Sequence, residues 1–314
     1  MRTPVPFDLD LTVRSHGFYD LAPWCYLQEK QLLSRPFLLS NGRVVAVQVS
    51  RSGREGGLLV RAASGDRLSA AEGREVRGLV RVCLALDEDL SPFYARIREL
   101  EKDPPRAPLP ALGWAARRGA GRLLRSPSVF EDAVKTLCTT NCTWALTRVM
   151  VKNLVEKLGA AAAAGARAFP TPQAMAQVGE RFYRDSIRAG YRARALAALA
   201  HQVASGELDV ESWRDSSLAT HELAAHIREL PGFGPYATEH LLRLLGRYEH
   251  LALDSWLRQK LTRLRGRKRA ASDRTIARWY APYGPHAGLA MWLEATSDWH
   301  GDEPSWPSRP PKEA

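Results

Sequence analysis

The stretch Leu230-Pro231-Gly232-Phe233-Gly234-Pro235-Tyr236-Ala237 predicts a tight glycine turn between two helices. A turn that leads directly into a helix presents backbone N–H groups to a phosphate. After one more helical stretch, Leu253-Asp254-Ser255-Trp256 places a carboxylate at the start of the next helix. We therefore expect a phosphate-binding turn beside a single acid, a combination that favours chemistry on a bound nucleic acid.

Both features also have a purely structural interpretation. Pro-Gly-x-Gly is a common turn between helices, because proline ends a helix and glycine accepts a positive φ. Asp254 precedes Ser-Trp-Leu-Arg and is a good N-cap whether or not it has a further role.

Together, at this spacing, the two features resemble the helix-hairpin-helix DNA glycosylase superfamily, and most closely its 3-methyladenine and 8-oxoguanine branch. Residues 230–234 match the superfamily's hairpin, and Asp254 matches its catalytic aspartate, which also caps a helix. The resemblance is good over residues 110–300 and loose before them. It implies that a damaged base leaves the duplex and that Asp254 stabilises an oxocarbenium-like transition state while the N-glycosidic bond breaks.

The residue at position 236 bears on the type of reaction. Members that also cut the strand have a lysine there, whereas this chain has Tyr236. The resemblance therefore implies a monofunctional glycosylase of base excision repair without AP lyase activity. The hairpin residues expected to contact DNA are Leu230, Gly232, Gly234, Tyr236 and Ala237.

Two further segments match parts of the superfamily that enter the duplex. Gly190-Tyr-Arg-Ala-Arg194 resembles a segment of 8-oxoguanine glycosylases in which the aromatic residue wedges into DNA and the arginine meets the orphaned base. Tyr191 and Arg192 take these roles by resemblance, and Asn141 takes the place of the residue that fills the hole. The alternative is a helix start with solvated arginines.

The resemblance also implies a pocket for the flipped base. Its expected lining residues are Trp144, Tyr236, His240, Trp256, Met291 and Trp292. Aromatic side chains stack on bases, but such residues are more often part of a hydrophobic core.

Met291 stands where 8-oxoguanine enzymes have a base-reading glutamine, which favours an alkylated purine as the substrate. Mismatched uracil or thymine and oxidised purines remain alternatives. A non-catalytic module that binds damaged DNA is another alternative, although Asp254 argues against it because a carboxylate repels phosphate.

The composition fits this interpretation. The chain has 314 residues, 45% of them hydrophobic, a formal net charge of +11 and a pI near 9.8. A basic chain of this size favours a polyanionic partner through phosphate neutralisation and counterion release. We expect a monomer that binds double-stranded DNA containing a damaged base.

The cysteines do not indicate a metal site. Cys25, Cys83, Cys138 and Cys142 form no CxxC pair, and the last third of the sequence has no cysteine for the iron–sulfur loop found in several relatives. His221 and His226 are five residues apart and do not match a zinc helix. We expect no cofactor, and the resemblance leaves open a monovalent cation at the hairpin. The absence of a leader and of a long apolar run predicts a cytoplasmic protein without a membrane span.

The organisation along the chain predicts an α+β fold. Residues 1–105 resemble a small antiparallel β domain, with strand-like runs at 43–49 and 58–62, while 76–86 is either a strand or a helix. Residues 106–302 are predicted to form the helical glycosylase domain, and residues 303–314 a disordered tail.

Overall fold

The computed structural model describes residues 1–53, 57–63, 67–105, 109–162 and 165–299. An antiparallel sheet near the N-terminus is followed by a long succession of helices, which confirms the α+β class. The predicted tail at 303–314 lies outside the described residues. The strands are β1 (Cys25–Leu27), β2 (Leu32–Leu38), β3 (Val44–Arg51) and β4 (Leu58–Ala62).

The helices before the hairpin are α1 (Leu9–Val13), α2 (Ala70–Cys83), α3 (Ser91–Lys102), α4 (Gly113–Arg118), α5 (Val129–Thr139), α6 (Trp144–Leu158), α7 (Pro172–Ala176), α8 (Glu180–Asp185) and α9 (Ala193–Ser205). The remaining α-helices are α10 (Thr220–Arg228), α11 (Pro235–Leu244), α12 (Ser255–Leu264), α13 (Asp273–Tyr280) and α14 (Ala287–Ala295). Short 3-10 helices occur at Gly17–Asp20, Gln28–Lys30, Gly190–Arg192, Glu211–Asp215, Ala281–His286 and Ser297–Trp299.

The four-stranded sheet is an antiparallel meander in the order β1-β2-β3-β4. In β3, Val45, Val47 and Val49 are buried and alternate with less buried residues, so one face of the sheet carries the core. The predicted strands at 43–49 and 58–62 correspond to β3 and β4.

In the segment at 76–86, residues 76–83 are helical, as part of α2, and residues 84–86 form the turn that follows it. Ser69 and Glu72 form a capping box that starts this helix. Val76, Val80 and Cys83 are buried at a spacing of four and three, and therefore lie on one face of the helix.

Two hydrophobic clusters form the core. The smaller one joins the sheet with the apolar face of α2, and the larger one contains the helices from α3 onwards. Phe93, Ile97 and Leu100 of α3 belong to the larger cluster. The division of the chain at residue 105 stays a prediction, since packing alone does not define where a domain ends.

A buried group of charges connects the sheet to the helical part. Arg35 of β2 donates to both carboxylate oxygens of Glu131 on α5, at 3.2 and 3.0 Å. Lys135, one turn further along α5, donates to Glu131 Oε1 at 2.6 Å. This contact fixes α5, whose last residue, Thr139, lies beside the candidate site described next.

Candidate active site

The predicted hairpin is formed by α10, the turn at residues 229–234, and α11. Gly232 has a φ of 86°, and a Cβ there would lie 2.8 Å from Leu137 Cδ2 and 3.0 Å from Ala195 Cβ. Backbone conformation and close packing therefore both require glycine. Helix α11 begins at Pro235 with no side-chain cap on its N-cap Gly234. Its first N–H groups and the positive end of its dipole are suited to an anion.

Asp254 is the N-cap of α12, as the sequence predicts. Its Oδ1 accepts a hydrogen bond of 2.7 Å from the backbone N–H of Leu257, and the side chain is half-buried. Burial raises the pKa of Asp254, while the Leu257 N–H and the charges of Arg243 and Arg258 oppose the rise. The carboxylate is thus partly shielded from bulk water, and several groups favour its ionised form.

One face of α11 carries Tyr236, His240 and Arg243, spaced by four and three residues. The rings of Tyr236 and His240 are stacked, with centroids 6.0 Å apart and planes inclined by 19°. Burial raises the pKa of Tyr236, the charge of Asp254 raises it further, and a hydrogen bond with Thr139 opposes these effects. Tyr236, at the lysine position, therefore lies close to the candidate catalytic acid.

Aromatic residues from the N-terminal segment complete this part of the site. The Phe18 ring lies 5.4 Å from His240 and the His16 ring 6.0 Å from it. Burial chiefly lowers the pKa of His16 to about 4, so its ring is neutral at pH 7. His16 Nε2 lies 2.5 Å from the Leu124 carbonyl oxygen and must donate to it. His16 Nδ1 is consequently an acceptor, and it has no partner among the described residues.

His240 is also a neutral imidazole. Burial lowers its pKa well below the ordinary value, and the neighbouring His16 and Arg243 lower it further. Its Nε2 has no hydrogen-bond partner within the described part of the chain. The His240 side chain is 8% exposed. The rings of His16, Phe18 and His240 therefore lie together beside Tyr236. Two of their nitrogens, His16 Nδ1 and His240 Nε2, have no hydrogen-bond partner among the described residues.

Of the other predicted pocket residues, Trp292 contacts the same face of α11 through Arg243, whose Cζ lies 4.8 Å from its ring centroid. Trp256 and Trp292 pack with Trp299 in a cluster with ring centroids 5.8–6.5 Å apart. Met291 has no exposed surface and belongs to the core. Trp144 contacts Gly17, where a Cβ would come within 2.7 Å of the indole, and its N–H donates to Asp20. Tyr236 and His240 are thus the predicted pocket residues that share one helix face beside Asp254, and the pocket itself stays a prediction.

The predicted duplex-entering residues are brought together at the loop after α5. Tyr191 is 65% exposed, and its hydroxyl donates to the carbonyl of Thr140 at 3.2 Å. Asn141 is exposed, with a left-handed φ of 43° that asparagine tolerates. Arg192 is buried beneath Tyr191 and donates to Thr140 Oγ1 at 3.2 Å and to the Thr140 carbonyl. In this structure Arg192 holds the loop after α5 through its hydrogen bonds to Thr140. To contact an orphaned base, the Arg192 guanidinium has to break these hydrogen bonds.

The structure adds residues that were not predicted from the sequence. His16 and Phe18 are more than 200 positions from the hairpin, and no local pattern connects them to it. Arg243 had a detectable signal, because a charged residue seven positions after Tyr236 falls on the same face of α11 as Tyr236 and His240.

No cluster of three or more histidine, cysteine, aspartate or glutamate side chains suited to a metal ion occurs in the described ranges. No helix in the described part of the chain is long and apolar enough to cross a membrane.

Comparison with solved structures defines the fold. A 3-methyladenine DNA glycosylase from Archaeoglobus fulgidus superposes with a TM-score of 0.72 and 20% identity, over 96% of this chain and 99% of that one. The 8-oxoguanine glycosylase/lyase of Clostridium acetobutylicum, bound to duplex DNA, superposes with a TM-score of 0.64 and 18% identity, over 91% and 93%. The chain has the fold of the helix-hairpin-helix DNA glycosylases. No protein-family model and no curated protein matches the sequence.

Proposed function

We propose that this glycosylase-fold protein is a DNA N-glycosylase of base excision repair. The observation that carries the proposal is the half-buried Asp254 carboxylate, which caps α12 next to the hairpin and close to Tyr236. The uncapped start of α11 binds a backbone phosphate, and the target nucleotide rotates out of the duplex. Asp254 then lies beside the deoxyribose of that nucleotide.

The reaction is a hydrolysis. The bond between C1′ and the base nitrogen breaks, and the base departs with the bonding electrons. The positive charge that develops on the sugar ring is stabilised by the Asp254 carboxylate. A water oxygen then bonds to C1′, and its proton passes to the carboxylate or to solvent. The product is an abasic site in an uncut strand.

The enzyme is monofunctional, because Tyr236 stands at the lysine position. A phenol whose pKa is raised by burial and by Asp254 stays protonated at neutral pH and is a poor nucleophile. Two other amines lie in this part of the described chain, and both are paired: Lys260 on α12 pairs with Asp298, and Lys135, 5.9 Å from the Phe18 ring, pairs with Glu131.

An alkylated purine is the substrate that we favour. Met291 offers no hydrogen bond of the kind that the glutamine of 8-oxoguanine enzymes makes, and it is fully buried here. The aromatic stack of Tyr236 and His240 suits the flat face of a purine. 3-Methyladenine, the base in the name of the Archaeoglobus fulgidus glycosylase, is accordingly the first lesion to test.

The test is a panel of end-labelled duplexes that carry 3-methyladenine, hypoxanthine, uracil or 8-oxoguanine. We expect release of 3-methyladenine and strand breaks that appear only after alkali, because the product is an abasic site. Borohydride should trap no covalent adduct, whereas the Clostridium acetobutylicum glycosylase/lyase provides a positive control for trapping. Release of none of the four bases would contradict the glycosylase proposal, and a trapped adduct would contradict the hydrolytic one.

A further inference from the structure

We propose that Arg243 is a positioning residue for Asp254: its guanidinium holds the backbone just before the acid and directs a permanent positive charge towards the carboxylate. This inference rests on the proposed role of Asp254 in base release. Neither the hairpin motif nor the predicted pocket includes Arg243.

Arg243 is almost completely buried, with 3% of its surface exposed. Its Nη2 donates to the carbonyl oxygen of Leu251 at 3.1 Å, three residues before Asp254. Its Cζ lies 4.8 Å from the centroid of the Trp292 ring, a cation–π contact that fixes the guanidinium plane. The side chain therefore connects α11 to the segment that leads into α12.

That segment has a backbone conformation that its surroundings must maintain. Ala252, next to Leu251, is buried and has a left-handed φ of 51°. Such a conformation is unfavourable for alanine and persists only where packing and hydrogen bonds impose it. The bond from Arg243 to Leu251 acts on the peptide directly before this residue. It thereby helps to set the direction in which Asp254 enters α12.

The charge of Arg243 has a separate effect. Burial raises the pKa of Asp254, and Arg243 is one of two arginines that oppose this rise. The other, Arg258 on α12, is partly exposed and pairs with Asp273 at 2.7 Å, so solvent and its partner weaken its field. Burial lowers the pKa of Arg243 to about 10, which still leaves it fully charged at neutral pH.

In the described chain, Arg243 and Arg258 are the cations that act on Asp254, and Arg243 is the buried one of the two. His16 and His240 are neutral, as argued above, and Tyr236 is protonated at neutral pH. The remaining groups that act on Arg243 are Glu239, which also lies 3.9 Å from Arg228, and Tyr248, which donates to Glu88. Two carboxylates act on Arg243: Glu239, which lies on α11, and Asp254, which caps α12.

Stability alone does not account for an arginine here. Its Nε has no partner in the described ranges, and Nη2 meets a single backbone oxygen. A buried guanidinium with incomplete hydrogen bonding costs free energy that an apolar side chain of similar length would avoid. A function for the charge explains why it is present.

The experiment compares wild type with Arg243→Gln, Arg243→Lys and Arg258→Gln in the full chain. Single-turnover release of 3-methyladenine is measured between pH 5 and 9, and thermal unfolding establishes which variants fold. In parallel, the Asp254 carboxyl carbon is titrated by NMR with carbon-labelled aspartate, and its signal is assigned with Asp254→Asn. The NMR titration needs no substrate, so it tests Arg243 even if the protein releases no base.

Asp254 must be ionised to act, so release increases as the pH rises through its pKa. Loss of the Arg243 charge should move this pH dependence and the NMR midpoint to higher pH by about one unit, because a buried positive charge that favours the ionised carboxylate is removed. Arg243→Lys keeps the charge and should leave both the pH dependence of base release and the NMR midpoint of Asp254 unchanged. Arg258→Gln should shift the Asp254 midpoint much less than Arg243→Gln does.

A folded Arg243→Gln protein with an unchanged Asp254 midpoint would overturn the proposal, as would an Arg243→Lys protein whose midpoint moves by a full unit. If Arg243→Gln does not fold, Arg243→Met replaces it, because methionine is uncharged and suits a buried site; its Asp254 midpoint should also rise by about one unit, and an unchanged midpoint would overturn the proposal. Absence of base release by the wild type, with a shifted NMR midpoint, would contradict the proposed function and leave the role of Arg243 supported.

Discussion

Tyr191 is an aromatic residue that the protein exposes beside the loop that follows α5. About two thirds of its surface is accessible, although its ring is stacked on the guanidinium of Arg192, 4.4 Å away. Its hydroxyl bonds to Thr140, one residue before Asn141. A rigidly held and exposed ring is well suited to insert between base pairs.

We therefore expect Tyr191→Ala to reduce affinity for duplex DNA by about 5-fold to 150-fold, since stacking of one base on an aromatic ring contributes about 1–3 kcal/mol. Thermal stability should be nearly unchanged, because most of the ring contacts solvent. Fluorescence anisotropy at a fixed salt concentration measures the effect. Leu59→Ala, a partly exposed apolar side chain on β4, serves as the control and should bind like wild type. Equal affinities for both variants would exclude Tyr191 from the interface.

Prediction from sequence was most successful for residues whose role is local. The cap at Asp254 and the left-handed Gly232 follow from their neighbours in the chain, and the structure has both. The partners of His240 could not be predicted in this way. His16 and Phe18 reach it through packing of the N-terminal segment, a contact that leaves no periodic signal in either segment.

At the scale of elements, β2 and α5 are joined by buried charges rather than by apolar contact alone. The carboxylate of Glu131 is shared by Arg35 and Lys135, and all three side chains are almost fully buried. Burial raises the pKa of Glu131, but the two cations outweigh this effect and the net pKa is lowered. Burial lowers the pKa of Lys135 more than Glu131 raises it, as expected where two cations share one carboxylate.

Glu131→Gln should destabilise the protein by about 3 kcal/mol or more, because it leaves two buried cations without their partner. Chemical denaturation at pH 7 measures this loss. The surface pair of Arg81 and Asp87 provides the control, and Asp87→Asn should cost about 1 kcal/mol or less. Equal stabilities of the two variants would contradict the importance of the buried group.

The pH dependence of this difference follows from the lowered pKa of Glu131. The folded protein holds the carboxylate in its ionised form, so the stabilisation is complete above the unfolded-state pKa, near 4.5. It is lost as the pH falls through the lower folded-state pKa. The stability difference between wild type and Glu131→Gln should therefore diminish in acid.

Helices that begin at a clear N-cap and strands with alternating apolar residues were predictable from the sequence. A segment whose apolar pattern fits both a strand and a helix was not. β3 and β4 follow from alternating apolar residues, and the start of α5 follows from Ser128, which accepts from the Glu131 N–H. The segment at 76–86 has an apolar content compatible with either a strand or a helix. Its helical form is decided by the capping box at Ser69 and Glu72, and by packing of α2 on the sheet.

At the scale of the whole molecule, the N-terminal segment contributes to the helical part as well as to the sheet. Trp292 of α14 donates to the Ser15 carbonyl, and Trp144 of α6 donates to Asp20. These contacts hold α14 and α6 around the same short segment that carries His16 and Phe18. The fold class was predictable because the hairpin motif and the order of strands and helices are local. The contact of His16 and Phe18 with the residues of α11 was not predictable, because it joins two distant parts of the chain.

In the proposed function, Asp254 carries out base release on DNA that the rest of the molecule binds. The most direct measurement compares single-turnover release of 3-methyladenine by wild type, Asp254→Asn and the surface control Asp185→Asn, together with duplex affinity by anisotropy. We predict that Asp254→Asn lowers the rate about 100-fold or more, the effect of removing one group that stabilises transition-state charge. Its affinity for the duplex should not decrease, and Asp185→Asn should match wild type in both. A rate for Asp254→Asn close to that of wild type would contradict the catalytic role of Asp254.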